Sequence, residues 1–306
     1  MSRFDSSGIG PTSDNNAMPT AISPIVVLDS GLGGLTVVRA LRKKAPSENI
    51  IYFGDTARVP YGSKSPETVI RFVREIITYL QRYRPKHVVI ACNTATALAM
   101  PTLKREFPHL PISGVIEPGA RAAIRAAGNK PAPMIGVIAT EATVKSKAYE
   151  RAIFQRRHHA MLDIRSTPLL APIIEDGRDE TDMLVRLALT QYLKPMLARN
   201  PDVLVLGCTH YPVFKRLIAR MMGSTCRVID SAEQCAQDVT ARLSITGLLS
   251  PVPEVGSLDC FVTDGPEKFQ KLASRFLGSE IDPPVRVSPD RLLEQPMLRM
   301  VHRQAV

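Results

Sequence analysis

Residues 25–34 read IVVLDSGLGG, a short apolar run that ends in an acid and is followed by a glycine-rich turn. A helical segment over 67–83 follows the start signal Ser65-Pro66, and its apolar residues recur at helical spacing. Strands that alternate with helices predict parallel sheets covered on both faces. Similar apolar or β-branched runs recur at 50–53, 87–91, 112–116, 134–138, 203–206 and 227–229.

The ends of these predicted strands repeat at a nearly constant distance along the chain. A duplicated α/β unit explains the spacing, and chance resemblance among short apolar strands is the alternative. The repeat predicts two similar, pseudo-symmetric α/β domains with parallel sheets. Because ligands bind beyond the carboxyl ends of strands in open α/β sheets, we predict an active site in the cleft between the two domains. Three pairs of strand ends carry the repeat, at offsets of 111, 116 and 113 residues: Asp29 and Thr140, Cys92 and Cys208, and Glu117 and Asp230.

The repeat also predicts how the chain is divided. The first domain is expected to comprise residues 24–117 and 229–295, and the second domain residues 118–228. The chain would then cross between the domains twice. Residues 1–23, rich in Ser, Asn, Gly and Pro, are expected to form a flexible tail, and residues 296–306 a C-terminal tail.

Composition narrows the class of protein. Hydrophobic residues make up 44% of the chain, enough for buried cores, which excludes a disordered or fibrous protein. The 39 Lys and Arg exceed the 29 Asp and Glu, a net charge of +10, but the basic residues are scattered, so no nucleic-acid partner is expected. No apolar run approaches the roughly 20 residues that cross a bilayer, and no signal peptide is recognisable, so we expect a cytoplasmic protein without a membrane partner.

Two of the five cysteines stand out by their position. The odd number of cysteines, without C-x-x-C or a close Cys/His grouping, predicts neither a disulfide framework nor a metal site. Cys92 and Cys208 lie in polar turns between a strand and a helix, where a helix N-terminus lowers the pKa of a thiol. We predict that these two are functional, and that Cys226, Cys235 and Cys260 are small buried apolar residues.

Paired thiols at equivalent strand ends suit one kind of chemistry. One thiolate removes a proton from a carbon while the other sulfur, as a thiol, returns a proton to the opposite face. The stereocentre is inverted, and neither a metal nor a cofactor is required. A dinucleotide cofactor is not expected, because the G-x-G-x-x-G pattern that begins at Gly31 requires glycine at position 36, where the chain has Thr36.

Several ordered motifs of the chain resemble the cofactor-independent glutamate racemases. The resemblance extends from about residue 25 to about residue 270. It implies an isomerase that interconverts L- and D-glutamate, works as a homodimer, and supplies D-glutamate for peptidoglycan, and hence for cell-wall biogenesis and cell shape. The motifs are LDSGLGG (28–34), VPYGSKS (59–65), ACNTATALA (91–99), GVIATEATVKSKAY (136–149) and LGCTHYP (206–212).

The resemblance also implies roles for individual residues. Cys92 and Cys208 would be the catalytic thiols, acting on D-glutamate and on L-glutamate respectively, with Asp29 assisting the first and His210 the second. Glu175 is similar in position to an acid implicated in the family, although a solvated loop acid is the alternative, and Thr140 is expected to cap a helix. The implied substrate contacts supply hydroxyl, amide and backbone N–H groups: Asp29, Ser30, Tyr61, Gly62, Asn93, Thr94, Thr143, Cys208, Thr209 and His210.

Three alternatives remain at this point. Aspartate racemases, or other amino-acid racemases of the same superfamily, resemble the chain around the first thiol, but the aspartate enzymes tend to carry Glu where this chain has His210. A cysteine hydrolase or amidotransferase would use Cys208 with His210 and would leave Cys92 without a role. A basic nucleic-acid-binding protein would be indifferent to both cysteines.

Overall fold

The computed structural model of the chain describes residues 18–293 and contains two parallel β-sheets with helices between their strands. Its first part consists of β1 (Ile25–Asp29), α1 (Leu35–Lys44), β2 (Ile50–Gly54), α2 (Pro66–Leu80), β3 (His87–Ile90), α3 (Asn93–Glu106) and β4 (Ile112–Gly114). Short 3-10 helices lie at Tyr61–Ser63 and Gln81–Tyr83.

The middle part of the chain forms the second sheet and its helices. These elements are α4 (Ile116–Ala127), β5 (Met134–Ala139), α5 (Glu141–Lys145), α6 (Ala148–Phe154), β6 (Met161–Ser166), α7 (Leu170–Glu175), α8 (Met183–Leu197), β7 (Val203–Gly207), a 3-10 helix (Tyr211–Phe214), α9 (Lys215–Met222) and β8 (Arg227–Asp230). The chain then returns to the first sheet through α10 (Ala232–Ile245), β9 (Leu258–Val262), α11 (Pro266–Leu277), β10 (Val285–Arg286) and α12 (Pro289–Leu293).

The two sheets share a strand order. The first sheet runs β10-β9-β2-β1-β3-β4 and the second β6-β5-β7-β8, with every neighbouring pair parallel. Four strands of the first sheet, β2-β1-β3-β4, therefore correspond in order to the whole of the second. The predicted α/β class with two similar parallel sheets is confirmed.

Burial explains which runs become strands. Every residue of β1, β2, β3, β5 and β7 is buried, as expected for strands covered by helices on both faces. Helix α2 buries its apolar face and begins at Pro66 after Ser65, whose hydroxyl accepts a hydrogen bond from the Thr68 backbone N–H at 3.3 Å. The helix ends at Leu80 and passes into a 3-10 turn, three residues earlier than its pattern predicts.

The predicted strand end at Glu117 is wrong. Strand β4 ends at Gly114, and Glu117 lies in the first turn of α4, where its half-exposed carboxylate pairs with Arg156 at 2.7 Å. The apolar run continues past the strand because Ile116 is buried in the core of the second sheet as a helical residue. The residue equivalent to Asp230 is therefore Gly114, at an offset of 116 residues, the same as that of the two cysteines.

The chain crosses between the two sheets twice, and the helices at the two crossings make polar contacts with each other. Helix α4 leads into the second sheet, α10 leads back to the first, and the two pack together. Arg121 and Arg125 of α4 hydrogen-bond Asp238 and Gln234 of α10. The domain boundaries near 117 and 228 remain a prediction.

The predicted terminal tails lie mostly outside the described residues. Residues 1–17 and the whole of 296–306 are outside them, whereas residues 18–23 are described. A turn joins Ser23 to Thr20, and the side chain of Asn49 donates to the Ile22 carbonyl at 3.2 Å. The last residues of the expected tail are thus bonded to the first sheet. Within 18–293, no helix combines the length and the apolar character that crossing a membrane requires.

Candidate active site

Both predicted thiols lie at the carboxyl ends of central strands. Cys92 precedes the first residue of α3 after β3, and Cys208 directly follows β7, the strand that corresponds to β3 in the second sheet. Each is only 6% exposed. The same edge of the sheets carries Asp29 at the end of β1 and Thr140 after β5, because parallel strands all end at one edge.

Cys92 lies in an environment that favours the protonated thiol. Its Sγ donates a hydrogen bond to the Ser30 hydroxyl across 3.7 Å. The pKa of Cys92 is raised to about 12, chiefly by burial and then by the negative charge of Asp29, while hydrogen bonds from the Ala95 backbone N–H and from Ser30 oppose the rise. The N-terminus of α3 does lower this pKa, through the Ala95 N–H, but loss of solvent outweighs it and the net shift is upward.

Cys208 belongs to a chain of three polar side chains. Its Sγ lies 3.7 Å from Nδ1 of His210, and Nε2 of the same ring lies 2.8 Å from Oε1 of Glu175, the last residue of α7. The imidazole is buried and meets the ring of Phe276 edge-on at 5.6 Å. Glu175, for which a solvated loop acid was the alternative, is the hydrogen-bond partner of the predicted catalytic histidine.

The charges on Cys208 and Glu175 favour a cationic imidazole at His210. Burial lowers the pKa of His210, but its hydrogen bonds and charge interactions with Cys208 and Glu175 raise that pKa well above its usual range. Burial also raises the pKa of Glu175, yet the bond to His210 leaves that pKa below its usual range. An imidazolium between a carboxylate and a sulfur stabilises the thiolate form of the sulfur.

Asp29 connects the glycine turn after β1 to the turn that carries Cys208. Its buried carboxylate accepts from the Gly31 backbone N–H at 3.2 Å and from the Thr209 hydroxyl at 3.5 Å. Burial raises the pKa of Asp29, and the charge of His210 opposes that rise. Within residues 18–293 Asp29 makes no hydrogen bond to Cys92, so its effect on that thiol is electrostatic.

The glycine turn after β1 allows the two sheets to approach closely. A Cβ atom on Gly33 would lie 2.7 Å from Nδ1 of His210, nearer than non-bonded atoms approach. Only a residue without a side chain fits here beside His210 and Thr209.

Three threonine hydroxyls meet where α3 of the first sheet packs against α5 of the second. The Oγ1 atom of Thr94 lies 2.8 Å from that of Thr140 and 3.5 Å from that of Thr143, and the latter two are 2.9 Å apart. Thr94 belongs to α3, whereas Thr140 caps α5 by accepting from the Thr143 backbone N–H, which confirms the capping prediction. Gly62 lies against Thr140, where an added Cβ would be 2.9 Å from the threonine Cβ.

Tyr61 is held by groups that were not among the predicted site residues. Its hydroxyl donates to Asp55 at 2.5 Å, and Asp55 also accepts from Thr263 at 3.0 Å and pairs with Arg58. The Tyr61 hydroxyl is therefore engaged within the protein. Asp55 follows β2 at the same sheet edge as Asp29, and that position is the sequence signal that could have identified it.

Asn93 makes a second contact between the sheets. Its Oδ1 atom accepts from the Tyr149 hydroxyl at 2.8 Å, and Tyr149 belongs to α6 of the second sheet's helices. Tyr149 was not predicted as a site residue, although it ends a quoted motif. No group of three or more His, Cys, Asp or Glu side chains suited to a metal occurs within residues 18–293.

Comparisons with known proteins find similar racemases. A profile of the Asp/Glu/Hydantoin racemase family matches residues 35–239. A glutamate racemase of Neisseria meningitidis is 43% identical over 259 residues, covering 85% of this chain and 94% of the relative. The crystal structure of glutamate racemase isoform RacE1 from Bacillus anthracis has a TM-score of 0.79 at 37% identity, over 86% of this chain and 99% of the other. That of the Francisella tularensis glutamate racemase in complex with D-glutamate has a TM-score of 0.80 at 34% identity, over 88% and 98% of the two chains.

Proposed function

Since the chain belongs to the Asp/Glu/Hydantoin racemase family, we propose that it is an isomerase that interconverts L- and D-glutamate, with Cys92 and Cys208 as its two acid/base groups. The observation that carries the proposal is the placement of two buried thiols at corresponding strand ends of two similar sheets. Residues from both sheets meet around them, so a small substrate bound there contacts both halves of the molecule.

In the direction from L- to D-glutamate, Cys208 starts as the thiolate and Cys92 as the thiol. The Cys208 thiolate takes the α proton of L-glutamate, and Cys92 gives its proton to the opposite face of the same carbon. One C–H bond breaks and one forms, and the pair ends with Cys208 protonated and Cys92 as the thiolate. The reverse reaction begins from that second state, as a symmetric acid/base pair requires.

The surroundings of the two thiols support this starting state. The cationic His210 lies 3.7 Å from the Cys208 sulfur, where it balances a negative charge, whereas burial and the charge of Asp29 raise the pKa of Cys92. Asp29 and His210 are then the charged groups that set the two protonation states, and Glu175 acts through His210. Ionic groups that are already in place reduce the cost of forming a carbanion-like species in a site shielded from water.

The remaining implied contacts suit a dicarboxylate. Donors to a carboxylate are supplied by Ser30, Asn93, Thr94, Thr143 and Thr209, all of them buried, and the N-terminus of α3 adds backbone N–H groups. Tyr61 contributes through its backbone and that of Gly62, since its hydroxyl is bonded to Asp55.

The biological setting is part of the same proposal. We infer that the D-glutamate feeds peptidoglycan synthesis and so supports the cell wall and cell shape, that the enzyme works in the cytoplasm, and that it forms a homodimer. Family membership supports these statements. The oligomeric state is tested directly by sedimentation velocity on the purified chain.

A cysteine hydrolase is the second candidate, because Cys208, His210 and Glu175 also form a Cys–His–acid arrangement. In that mechanism a single cysteine attacks a carbonyl carbon, and Cys92 takes no part. The two functions therefore differ in their dependence on Cys92.

The test is proton exchange in D2O. Purified protein is incubated with L- or D-glutamate without added cofactor, while circular dichroism follows optical activity and NMR follows deuterium at the α carbon. We expect both enantiomers to racemise and to acquire deuterium. Cys92→Ser and Cys208→Ser should each slow turnover by at least about 10³-fold, since each removes an essential proton carrier.

Cys226→Ser is the matched control, because Cys226 is equally buried but lies before β8 at the opposite sheet edge. It should retain wild-type turnover. A wild-type protein that places no deuterium at the α carbon of either enantiomer would refute the racemase. Full racemisation by Cys92→Ser would refute the two-thiol mechanism. A protein that leaves both enantiomers unchanged but hydrolyses an amide, and does so without Cys92, would be the hydrolase.

A further inference from the structure

The side-chain amide of Asn93 is buried, and its NH2 group lacks a hydrogen-bond acceptor among residues 18–293. Asn93 is 2% exposed, and its Nδ2 atom has no hydrogen-bond partner among residues 18–293. A buried N–H without an acceptor is costly, so this group calls for an acceptor that the protein itself does not supply. Asn93 directly follows Cys92 and opens α3, where a helix N-terminus attracts negative charge.

Tyr149 determines which way that amide faces. The Tyr149 hydroxyl donates to Oδ1 of Asn93 at 2.8 Å, and this is the only hydrogen bond the hydroxyl makes within the described part of the chain. Because Oδ1 points to the tyrosine, Nδ2 must point away from it. Burial raises the pKa of Tyr149 far above its usual value, so the hydroxyl stays protonated and remains a donor.

The ring of Tyr149 has little freedom to move. It is 2% exposed and lies against two glycines, one on each side. A Cβ atom on Gly207 would lie 3.1 Å from Cε2 of the ring, and one on Gly119 would lie 3.1 Å from the hydroxyl oxygen. A hydroxyl on a fixed ring can hold its partner in one orientation.

Tyr149 also lies between the two thiol-bearing turns. Gly207, which supports the ring, precedes Cys208, and Asn93, which receives the hydrogen bond, follows Cys92. A displacement of Tyr149 would therefore alter the geometry of the site from both sides.

We propose that Tyr149 is a positioning residue that fixes the Asn93 amide so that Nδ2 donates to a carboxylate of the bound substrate. The inference rests on the proposed function, in which that substrate is glutamate. Tyr149 acts through Asn93 and does not itself carry a proton in the reaction. Its hydroxyl is the group that matters, and its ring provides the support.

The experiment compares Tyr149→Phe, Asn93→Ala and the double variant with wild type. Tyr149→Phe keeps the ring and removes only the hydrogen bond. We expect its kcat/KM to fall roughly tenfold in both directions. Most of the loss should be in KM, because the Asn93 contact forms when the substrate binds. The Kd of D-glutamate from calorimetry should rise by a similar factor.

The double variant separates positioning from a structural role. If Tyr149 acts through Asn93, adding Tyr149→Phe to Asn93→Ala should change kcat/KM by less than about twofold, whereas independent effects would multiply. Tyr79→Phe is the matched control: Tyr79 is also buried, but it lies near the end of α2 and its hydroxyl bonds Tyr83. It should leave KM and the D-glutamate Kd unchanged.

Two results would overturn the proposal. One is a Tyr149→Phe variant with wild-type KM and wild-type Kd for D-glutamate. The other is a full multiplication of the two losses in the double variant. These two results are meaningful only if the wild-type protein racemises glutamate. A wild-type protein that does not racemise glutamate refutes the proposed function, and not the role of Tyr149. Thermal denaturation of each variant identifies any that fail to fold.

Discussion

His210 is the residue at which burial and hydrogen bonding oppose each other most directly. Burial alone would leave the imidazole neutral, and a neutral ring could not stabilise a thiolate at Cys208. The bonds from Nδ1 to Cys208 and from Nε2 to Glu175 reverse that effect. The charge on one ring therefore depends on a carboxylate 2.8 Å away at the end of another helix.

Replacing Glu175 by glutamine should lower the pKa of His210, because it removes the negative charge that stabilises the imidazolium. NMR titration of the imidazole resonances should show the midpoint for His210 moving down in Glu175→Gln. Glu106→Gln, which removes a surface partner of Arg74, should leave that midpoint in place. An unchanged His210 midpoint in Glu175→Gln would contradict the assignment.

The same change has a consequence for stability. A group whose pKa is raised on folding stabilises the native state fully below its unfolded pKa, here 6.5, and this stabilisation is lost as pH rises through the folded pKa. The difference in unfolding free energy between wild type and Glu175→Gln, measured in urea, should therefore shrink as the pH is raised above neutrality.

Single residues also show where sequence reasoning reached its limit. The residues of the two cysteine turns could be predicted, because a strand end followed by polar residues is visible in the sequence. Tyr149 could not, since an aromatic residue on a helix usually packs in the core, and only coordinates show its hydroxyl reaching Asn93. The high pKa of Cys92 likewise depends on burial by distant parts of the chain.

At the scale of the elements, helix α2 shows how the local sequence fixes a boundary. Its N-cap hydroxyl at Ser65 satisfies one backbone donor, and Pro66 fits the first helical position. Ser65→Ala should lower the unfolding free energy by about 1 kcal/mol, as measured by urea denaturation. Ser65→Asp, which keeps a capping oxygen, should retain most of the stability; an equal loss in both variants would argue against a capping role.

Most strands are visible in the sequence as apolar runs, including the edge strands β4 and β8, whereas β6, β9 and β10 are not. β1, β3 and β7 are continuous apolar runs, so the sequence identifies them directly. Strand β6, which reads MLDIRS, was missed because Asp163, Arg165 and Ser166 interrupt its apolar residues. Strands β9 and β10 were missed as well. Strand β9 takes its place by pairing with β2, more than 200 residues earlier, and β10 takes its place by pairing with β9.

At the scale of the whole molecule, a buried ion pair joins distant segments beneath the first sheet. Lys86 and Glu48 pair with each other and are almost completely buried. Lys86 also donates to the Ala21 carbonyl, and Glu48 accepts from the Ser250 backbone N–H at 2.8 Å. The pair thus connects the N-terminal turn and the chain that returns from the second sheet.

Breaking this pair should be costly. Lys86→Met leaves a buried carboxylate without its cation, and we expect a loss of about 3–5 kcal/mol in unfolding free energy, measured in urea. The double variant Lys86→Met with Glu48→Gln should recover most of that loss, because glutamine is neutral and still offers an oxygen to Ser250. A double variant as unstable as Lys86→Met alone would show that the loss does not come from the unpaired charge of Glu48.

The strand order determines which of the two sheets can complete its strand pairing first during translation. The second sheet uses one uninterrupted stretch of chain, Met134 to Asp230, and can complete its strand pairing once that stretch has left the ribosome. The first sheet cannot, because β9 is made after the whole of the second sheet and yet pairs with β2. Until it emerges, the nascent chain presents IIYFG (Ile50–Gly54) as a bare apolar edge, the kind of strand that chaperones bind and that other chains can join.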